Sequence, residues 1–237
     1  MNKCLLTFDW DWASDELTEP IIDLLIREQI PSIWFVTHPT SLLVKLKEHN
    51  ELFELGIHPN FFKGSSQGNS EDEIIENLLD LVPDARCVRT HGLYQSSNLI
   101  LKLGDVYNLK FDFSLFLPGC NIKPHQFKFE DKSIIRVPYN WEDDIAIFDE
   151  GGILKSYENL IELADVVFDF HPIHIALNSK DLELYNSLKN INPRVSDWTY
   201  EMCIGQLSDD RTGIGSVFRT ILGEQSERFV GLDTFLK

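Results

Sequence analysis

The chain of 237 residues is poor in basic residues and in cysteine. It carries 21 Lys and Arg against 38 Asp and Glu, which gives a formal net charge of −17. Nucleic acids and anionic membranes are bound by clusters of Lys and Arg, so this balance argues against both as partners. The four cysteines are scattered without a C-x-x-C pair, which argues against a zinc knuckle and against a disulfide framework.

Long apolar runs and nucleotide-binding motifs are lacking as well. No run reaches the length of a membrane span, and the first apolar segment is too short for a signal peptide, so we expect a cytoplasmic protein. The chain contains no P-loop, and no G-x-G-x-x-G follows its first strand, which argues against a dinucleotide or NTP site. With 43% hydrophobic residues, the chain is expected to form a single domain over residues 1–237.

Short apolar strands alternate with amphipathic helices along the chain. Seven strands are predicted, at Cys4–Phe8, Ser32–Val36, Phe53–Ile57, Arg86–Thr90, Phe111–Phe116, Ile134–Val137 and Val166–Phe170. The helices predicted between them are Glu16–Gln29, Thr40–His49, Glu71–Leu81, Ser97–Leu103 and Tyr157–Leu163. Ser14 is the expected N-cap of the first helix and Ser70 that of the third.

This alternation predicts an α/β fold with a parallel sheet. Seven strand–helix units favour a distorted (β/α)7 barrel over an open doubly wound sheet, because polar residues follow the strands throughout. The segment from about 195 to 237 has a weaker pattern. We expect it to form a helical extension that includes Ile214–Leu222 and packs on the barrel or covers its mouth.

The most informative segment is the first strand with the residues after it, K-C-L-L-T-F-D-W-D-W. Two carboxylates, Asp9 and Asp11, stand at the end of an apolar strand, and residues two apart on a strand share a face. Like charges this close need a cation between them or a proton on one of them. One can therefore bind a metal while the other acts as a base. The alternative interpretation is that Asp11 caps the next helix and Asp9 hydrogen-bonds a loop.

Polar side chains follow four further predicted strands in the order His58 and Asn60; Arg89 and His91; Asn140, Trp141, Glu142, Asp143 and Asp144; and Asp169, His171 and His174. A single histidine at a strand end is more often a structural hydrogen-bonding residue. Five polar groups at the same end of one barrel instead predict a shared site. Aspartate together with histidine is a ligand set for zinc or a similar metal.

Over residues 3 to about 178 this arrangement resembles the polysaccharide deacetylases of the NodB-homology superfamily, the type-4 carbohydrate esterases. T-F-D-W-D is similar to the family's T-F-D-D motif, which implies that Asp9 is the general base and Asp11 a metal ligand. E-L-G-I-H matches the second motif up to His58, another metal ligand. R-T-H-G stands where the third motif is expected and implies that Arg89 holds the base. F-D-F-H matches the fifth motif and implies that His171 is the general acid.

The chain departs from the family pattern at two points. Trp10 is inserted between the two aspartates, and Phe62 stands where the family's H-x-x-x-H motif has its second metal-binding histidine. We therefore expect the third ligand to come from elsewhere, with His91 as the candidate because it ends the neighbouring strand. The expected ligand set is Asp11, His58 and His91. The metal implied by the resemblance is divalent, most simply Zn²⁺, with Ni, Co or Mn as alternatives.

Further residues complete the expected site. Asp143 or Asp144, near the family's fourth motif, is expected to orient His171. The predicted substrate pocket includes Trp10, Trp12, Asn60 and Trp141, although core packing is an equal alternative for each tryptophan. Asn60 is also a weaker candidate metal ligand, because an amide is a poor ligand for zinc. His174 is expected to be structural, since on a strand it would face away from His171.

The predicted function is hydrolysis of C–N amide bonds, by an N-deacetylase that acts on a sugar or sugar-like small molecule in surface-polysaccharide metabolism. One alternative is a metal-independent amidohydrolase of the allantoinase-like kind, which bound metal would distinguish. Another is a catalytically silent binding protein on the same barrel, which release of acetate from N-acetylated sugars would exclude. The expected partner is a small-molecule or sugar substrate, and the oligomeric state is left open.

Overall fold

A computed structural model describes residues 2–149, 152–161, 165–204 and 211–237. The described residues form one nine-stranded sheet, curled into a half-barrel, in the order β6-β7-β5-β4-β3-β2-β1-β9-β8. In chain order the strands are β1 Cys4–Asp9, β2 Ser32–Val36, β3 Phe53–Ile57, β4 Cys87–Val88, β5 Phe111–Asp112, β6 His125–Phe129, β7 Lys132–Arg136, β8 Trp141–Glu142 and β9 Val166–Phe170. All neighbouring strands are parallel except β6 and β7, so the predicted fold class is confirmed.

Helices connect the parallel strands and continue beyond the sheet. Their bounds are α1 Asp15–Glu28, α2 Leu42–Glu48, α3 Glu71–Leu81, α4 Ser97–Asp105, α5 Asp143–Ala146, α6 Ile153–Ile161, α7 Pro172–Leu177, α8 Glu183–Ile191, α9 Tyr200–Ile204, α10 Ile214–Gln225 and α11 Leu232–Phe235. Of the helices in the described part of the chain, none is both long and apolar enough to cross a bilayer.

The centre of the sheet is buried on both faces, as the continuous apolar runs predict. Every residue of β1, β2 and β9 is buried, and β1 pairs with both of the other two. The predicted bounds of β2, β3 and β9 are confirmed, whereas β4 and β5 are only two residues long. This parallel arrangement brings the carboxyl ends of β1, β3, β4 and β9 to one edge of the sheet.

Two strands lay outside the sequence prediction. Strand β6 pairs antiparallel with β7 in an edge hairpin, and its residues are mostly exposed, so it lacks the apolar signal of a core strand. Strand β8 has only two residues, Trp141 and Glu142, and pairs with β9. A pairing this short leaves no periodicity that a sequence can show.

Both predicted N-caps, Ser14 and Ser70, occupy the cap position of their helix, but only Ser70 makes the cap hydrogen bond. Ser70 accepts a hydrogen bond from the Glu73 N–H at 3.2 Å, while the Glu73 carboxylate accepts from the Asn69 N–H at 2.8 Å. Ser14 occupies the cap position of α1, but its hydroxyl makes no cap hydrogen bond and is buried with no partner among the described residues.

Residues beyond Arg194 pack on the sheet layer. In α10, the Phe218 ring lies 6.0 Å from that of Phe8 and 5.0 Å from that of Phe170. The Val230 N–H donates to the Cys4 carbonyl at 3.0 Å, at the amino end of β1 and therefore away from the edge that carries the polar residues.

Helix α6 covers 157–161 of the predicted 157–163, and 162–164 lie outside the described residues.

Candidate active site

The two N-terminal carboxylates reach the same edge by different routes. Asp9 is the last residue of β1, but Asp11 lies beyond the strand, so the argument from a shared strand face was wrong. Asp11 and Trp12 have φ of 43° and 57°, a left-handed turn that brings the Asp11 side chain back over the strand end. The Trp12 N–H donates to Thr37 Oγ1 at 3.2 Å and secures the turn. Consecutive left-handed residues without glycine are strained, a condition that clusters at functional sites.

Asp11, His58 and His91 converge on one point. Asp11 Oδ1 lies 3.2 Å from His58 Nε2 and 3.1 Å from His91 Nδ1, and the two ring nitrogens lie 3.2 Å apart. Ligand atoms about 2.0–2.1 Å from a tetrahedral zinc ion lie roughly 3.3 Å from one another, so the triangle has the dimensions of three zinc ligands. The residue types and their spacing therefore fit a divalent metal.

The surroundings of Asp11 favour its charged form, which is the form that binds a cation. Burial disfavours the charged carboxylate, but hydrogen bonds from His58 and His91 outweigh it and hold the pKa of Asp11 well below its usual range. His58 Nδ1 is buried with no hydrogen bond to any described residue, and Asp9 Oδ1 is 3.6 Å from it. With its proton assigned to Nδ1, facing Asp9, His58 would present its Nε2 lone pair to a metal, the usual arrangement of a metal ligand, in place of the hydrogen bond from Nε2 to Asp11.

The position of His91 depends on a sharp turn after β4. Gly92 follows it with φ of 59°, and a Cβ there would lie 2.7 Å from the Phe62 ring. Only glycine meets both conditions without strain. Phe62 is 49% exposed, with its ring 6.1 Å from that of His91. The Phe62 ring thus packs beside the His91 imidazole, which belongs to the cluster of Asp11, His58 and His91.

Arg89 holds Asp9 in a fully buried contact. Arg89 Nη1 donates to Asp9 Oδ1 at 2.9 Å, and neither side chain is more than 7% exposed. The guanidinium carbon lies 4.6 Å from the Phe35 ring centroid and 4.4 Å from that of Tyr139, so two aromatic faces fix its plane. The structure thus places Arg89 beside the carboxylate that the motif pairs with it.

His171 pairs with Asp143. Asp143 Oδ1 lies 2.7 Å from His171 Nδ1, and Oδ2 accepts the His171 backbone N–H at 2.8 Å. Burial alone would lower the pKa of His171, but the adjacent Asp143 carboxylate outweighs it and raises that pKa well above its usual range. With Nδ1–H assigned to Asp143, Nε2 faces the site, 3.7 Å from Asp11 Oδ2.

Two further acids flank His171. Glu142, Asp144 and His171 each present an atom within 4.8 Å of the others, and Tyr139 donates to Glu142 Oε2 at 3.1 Å. Burial and the Asp144 charge raise the pKa of Glu142 to about 8. Asp144 thus lies close to both Glu142 and His171, whereas Asp143 makes the hydrogen bond to the His171 ring.

Asp169 belongs to the site, although the sequence analysis gave it no role. It lies inside β9, is 0% exposed and accepts a hydrogen bond from Arg89 Nη1. Burial raises the pKa of Asp169 well above its usual range. The available signal was its type: a charged residue in a buried, otherwise apolar strand is costly and therefore informative.

The predicted pocket residues separate into core and rim. Trp10 is 0% exposed, donates its indole N–H to the Ala13 carbonyl at 3.2 Å and packs in the core, so it offers no surface to a ligand. Trp141 is 4% exposed and donates to Ser156 Oγ at 3.0 Å. Trp12 is half-buried, and its ring lies 5.5 Å from that of His91, which leaves it at the rim of the site.

Asn60 and His174 have structural partners. Asn60 Oδ1 accepts the Phe62 N–H at 3.0 Å, which makes it a turn residue outside the ligand triangle. His174 lies in α7 and not on a strand, so the reason given for its orientation was wrong: its ring is 5.8 Å from that of His171. His174 Nδ1 lies 3.1 Å from Ser179 Oγ, and burial lowers the pKa of His174.

Comparisons with known proteins agree with this geometry. Residues 6–189 match the profile of a family described as WbmS-like polysaccharide deacetylase. A solved Bordetella bronchiseptica structure, described as a candidate polysaccharide deacetylase involved in O-antigen biosynthesis, is 29% identical, with a TM-score of 0.79 over 96% of this chain and 90% of that one.

More distant matches concern the fold or a short segment. The catalytic domain of a peptidoglycan N-acetylglucosamine deacetylase from Eubacterium rectale shares the fold at 13% identity, with a TM-score of 0.51 over 98% of this chain and 88% of that one. A mitochondrial amino-acid acetyltransferase of Scheffersomyces stipitis is 30% identical over 108 residues. That match spans 44% of this chain and only 18% of the acetyltransferase.

Proposed function

The chain belongs to the WbmS-like polysaccharide deacetylases and is a hydrolase of amide bonds, and on that premise we propose that it is a metal-dependent N-deacetylase of a sugar. The observation that carries the proposal is the triangle of Asp11, His58 and His91 beside Asp9 on one side and His171 on the other. A metal-binding triad, a held carboxylate and a held imidazole in one cluster are the parts that amide hydrolysis needs.

Asp11, His58 and His91 would hold the metal. A divalent ion bound there supplies Lewis-acid polarisation of the amide oxygen and lowers the pKa of a water. Zinc suits two imidazoles and one carboxylate better than calcium or magnesium does, because those ions prefer oxygen ligands.

The proton transfers fall to residues on either side of that triad. Asp9 accepts the proton of the attacking water, and Arg89 keeps its carboxylate in place. His171 donates a proton from Nε2 to the leaving amine, which otherwise departs as a poor anionic leaving group. Asp143 holds the His171 ring in the required tautomer and keeps it charged through the neutral range.

The substrate class follows from family and similarity. The Bordetella structure is described as acting in O-antigen biosynthesis, so we assign to this chain an N-acylated sugar of a surface polysaccharide. A cytoplasmic location completes the proposal. All four cysteines are free thiols and Cys120 is exposed, which suits a reducing compartment.

The test is a panel of N-acetylated sugars and short glycans, incubated with zinc-loaded and with chelator-treated protein, with acetate release as the readout. The proposal expects release that depends on zinc and returns when zinc is added back. Equal release by metal-free protein would replace it with a metal-independent amidohydrolase. No release from any sugar, despite one bound zinc per chain, would favour a binding protein on the same fold.

A further inference from the structure

The Arg89 guanidinium is divided between two carboxylates. A single nitrogen, Nη1, donates to both Asp9 Oδ1 and Asp169 Oδ1. The other terminal nitrogen, Nη2, donates to Thr7 Oγ1 at 2.9 Å. Arg89 therefore holds Asp9 through one N–H at one oxygen. An arginine facing a lone carboxylate usually forms two parallel hydrogen bonds with it.

The position of Asp169 in the sheet brings its carboxylate to the Arg89 guanidinium. It stands opposite Thr7 in the register of β9 with β1, next to the strand that ends in Asp9. Its Oδ1 takes the Arg89 contact, whereas its Oδ2 is buried without a hydrogen-bond partner in the described part of the chain. A half-satisfied buried carboxylate costs stability, so packing gives no reason for it.

We propose that Asp169 is a positioning residue for the deacetylation: it draws Arg89 Nη1 away from a two-point contact with Asp9 and leaves the second Asp9 oxygen free for the proton of the attacking water. The inference rests on the proposed role of Asp9 as the base. It adds that a strand residue without contact to the substrate sets which Asp9 oxygen is available.

Two substitutions test the proposal. Asp169→Leu removes the acceptor at similar volume, so Arg89 closes on both Asp9 oxygens, and kcat is expected to fall by about 10- to 100-fold, part of what a general base contributes. KM and the zinc content stay unchanged, because neither the triad nor the sugar contacts Asp169. Asp169→Asn keeps an oxygen for Nη1 and is expected to retain most of kcat.

A double variant and a matched control separate positioning from general damage. Asp9→Asn combined with Asp169→Leu is expected to be no less active than Asp9→Asn alone, because Asp169 acts through Asp9. Asp112→Leu breaks a different buried pair, Asp112 with Arg136. It is expected to lower the melting temperature while the folded protein keeps its kcat.

A crystal structure of Asp169→Leu supplies a readout independent of activity. The expected finding is Arg89 donating to both Asp9 oxygens, and an unmoved Arg89 overturns the inference. So does wild-type kcat in Asp169→Leu, an equal loss in the Asn and Leu variants, or an additive double variant. A wild-type protein that releases no acyl group contradicts the proposed function alone, since the Arg89 geometry is still decided by the structure.

Discussion

Two buried arginines, Arg136 in β7 and Arg89 just beyond β4, form ion pairs that differ in how fully their carboxylate partners are hydrogen-bonded. Arg136 meets Asp112 Oδ2 at 2.7 Å and also donates to Gln95 and Ser114, while Asp112 Oδ1 accepts the Ser114 N–H. Both carboxylate oxygens there are satisfied. Around Arg89, one nitrogen serves two carboxylates and Asp169 Oδ2 has no partner within the described residues.

The contrast extends to the rest of the site. Unpartnered buried atoms of His58 and Asp144 also lie there. Natural proteins satisfy nearly all buried polar groups, so a local concentration of exceptions marks a place where a ligand, ion or reacting group completes the set. The Arg136 cluster is complete without a ligand, and the Arg89 site is not.

The largest expected loss of activity comes from replacing Asp9, the proposed base. Asp9→Asn keeps the side-chain shape and the hydrogen bond from Arg89 but removes the proton acceptor, so kcat is expected to fall about 10³-fold. Steady-state acetate release measures the loss, and bound zinc, measured by elemental analysis, should stay at the wild-type level. Near-normal turnover in this variant would remove Asp9 from the chemistry.

His91→Ala tests whether Asp11, His58 and His91 bind a metal. The substitution removes one corner of the triangle, and the lost Lewis acid is expected to lower kcat/KM by about a hundredfold or more. Zinc content should fall below one per chain. Asn60→Ala is the control: Asn60 lies in the neighbouring loop and its Oδ1 accepts the Phe62 N–H, so the zinc content of this variant should match wild type. Equal zinc in both variants would place the metal ligands elsewhere.

Asp143→Asn tests the role of His171 as the general acid through the pH dependence of kcat. The Asp143 carboxylate contributes most to raising the pKa of His171, ahead of the Asp11 and Asp144 charges, so its removal lowers that pKa. The acid form is then lost at lower pH, and the basic limb of the kcat profile moves toward neutrality. At neutral pH the loss of kcat is expected to be roughly 30-fold. A loss of the same size at every pH would show that Asp143 acts on ring orientation alone.

Much of this site could be predicted because its residues stand in segments with a strong pattern. Asp9 ends a buried strand, Arg89 and His171 each directly follow one, and a parallel sheet brings such ends together whatever their separation in sequence. The route of Asp11 could not be predicted, since a left-handed Asp–Trp pair has no sequence signal. Asp169 was missed because the sequence shows that a carboxylate in a buried strand needs a partner but does not show which one, and the partner, Arg89, is 80 residues away along the chain.

The smallest expected effect on activity comes from Arg136→Met, which removes the ion pair of Arg136 with Asp112. Asp112 would stay buried with only the Ser114 N–H as partner, and the uncompensated charge is expected to lower the free energy of unfolding by about 3 kcal/mol. Denaturant melts measure that loss, and kcat of the folded protein should stay within about twofold of wild type, as for changes that touch no reacting group. A large fall in kcat at unchanged stability would contradict the distinction between the two arginines, because it would give a part in the chemistry to a carboxylate whose two oxygens both already have hydrogen-bond partners.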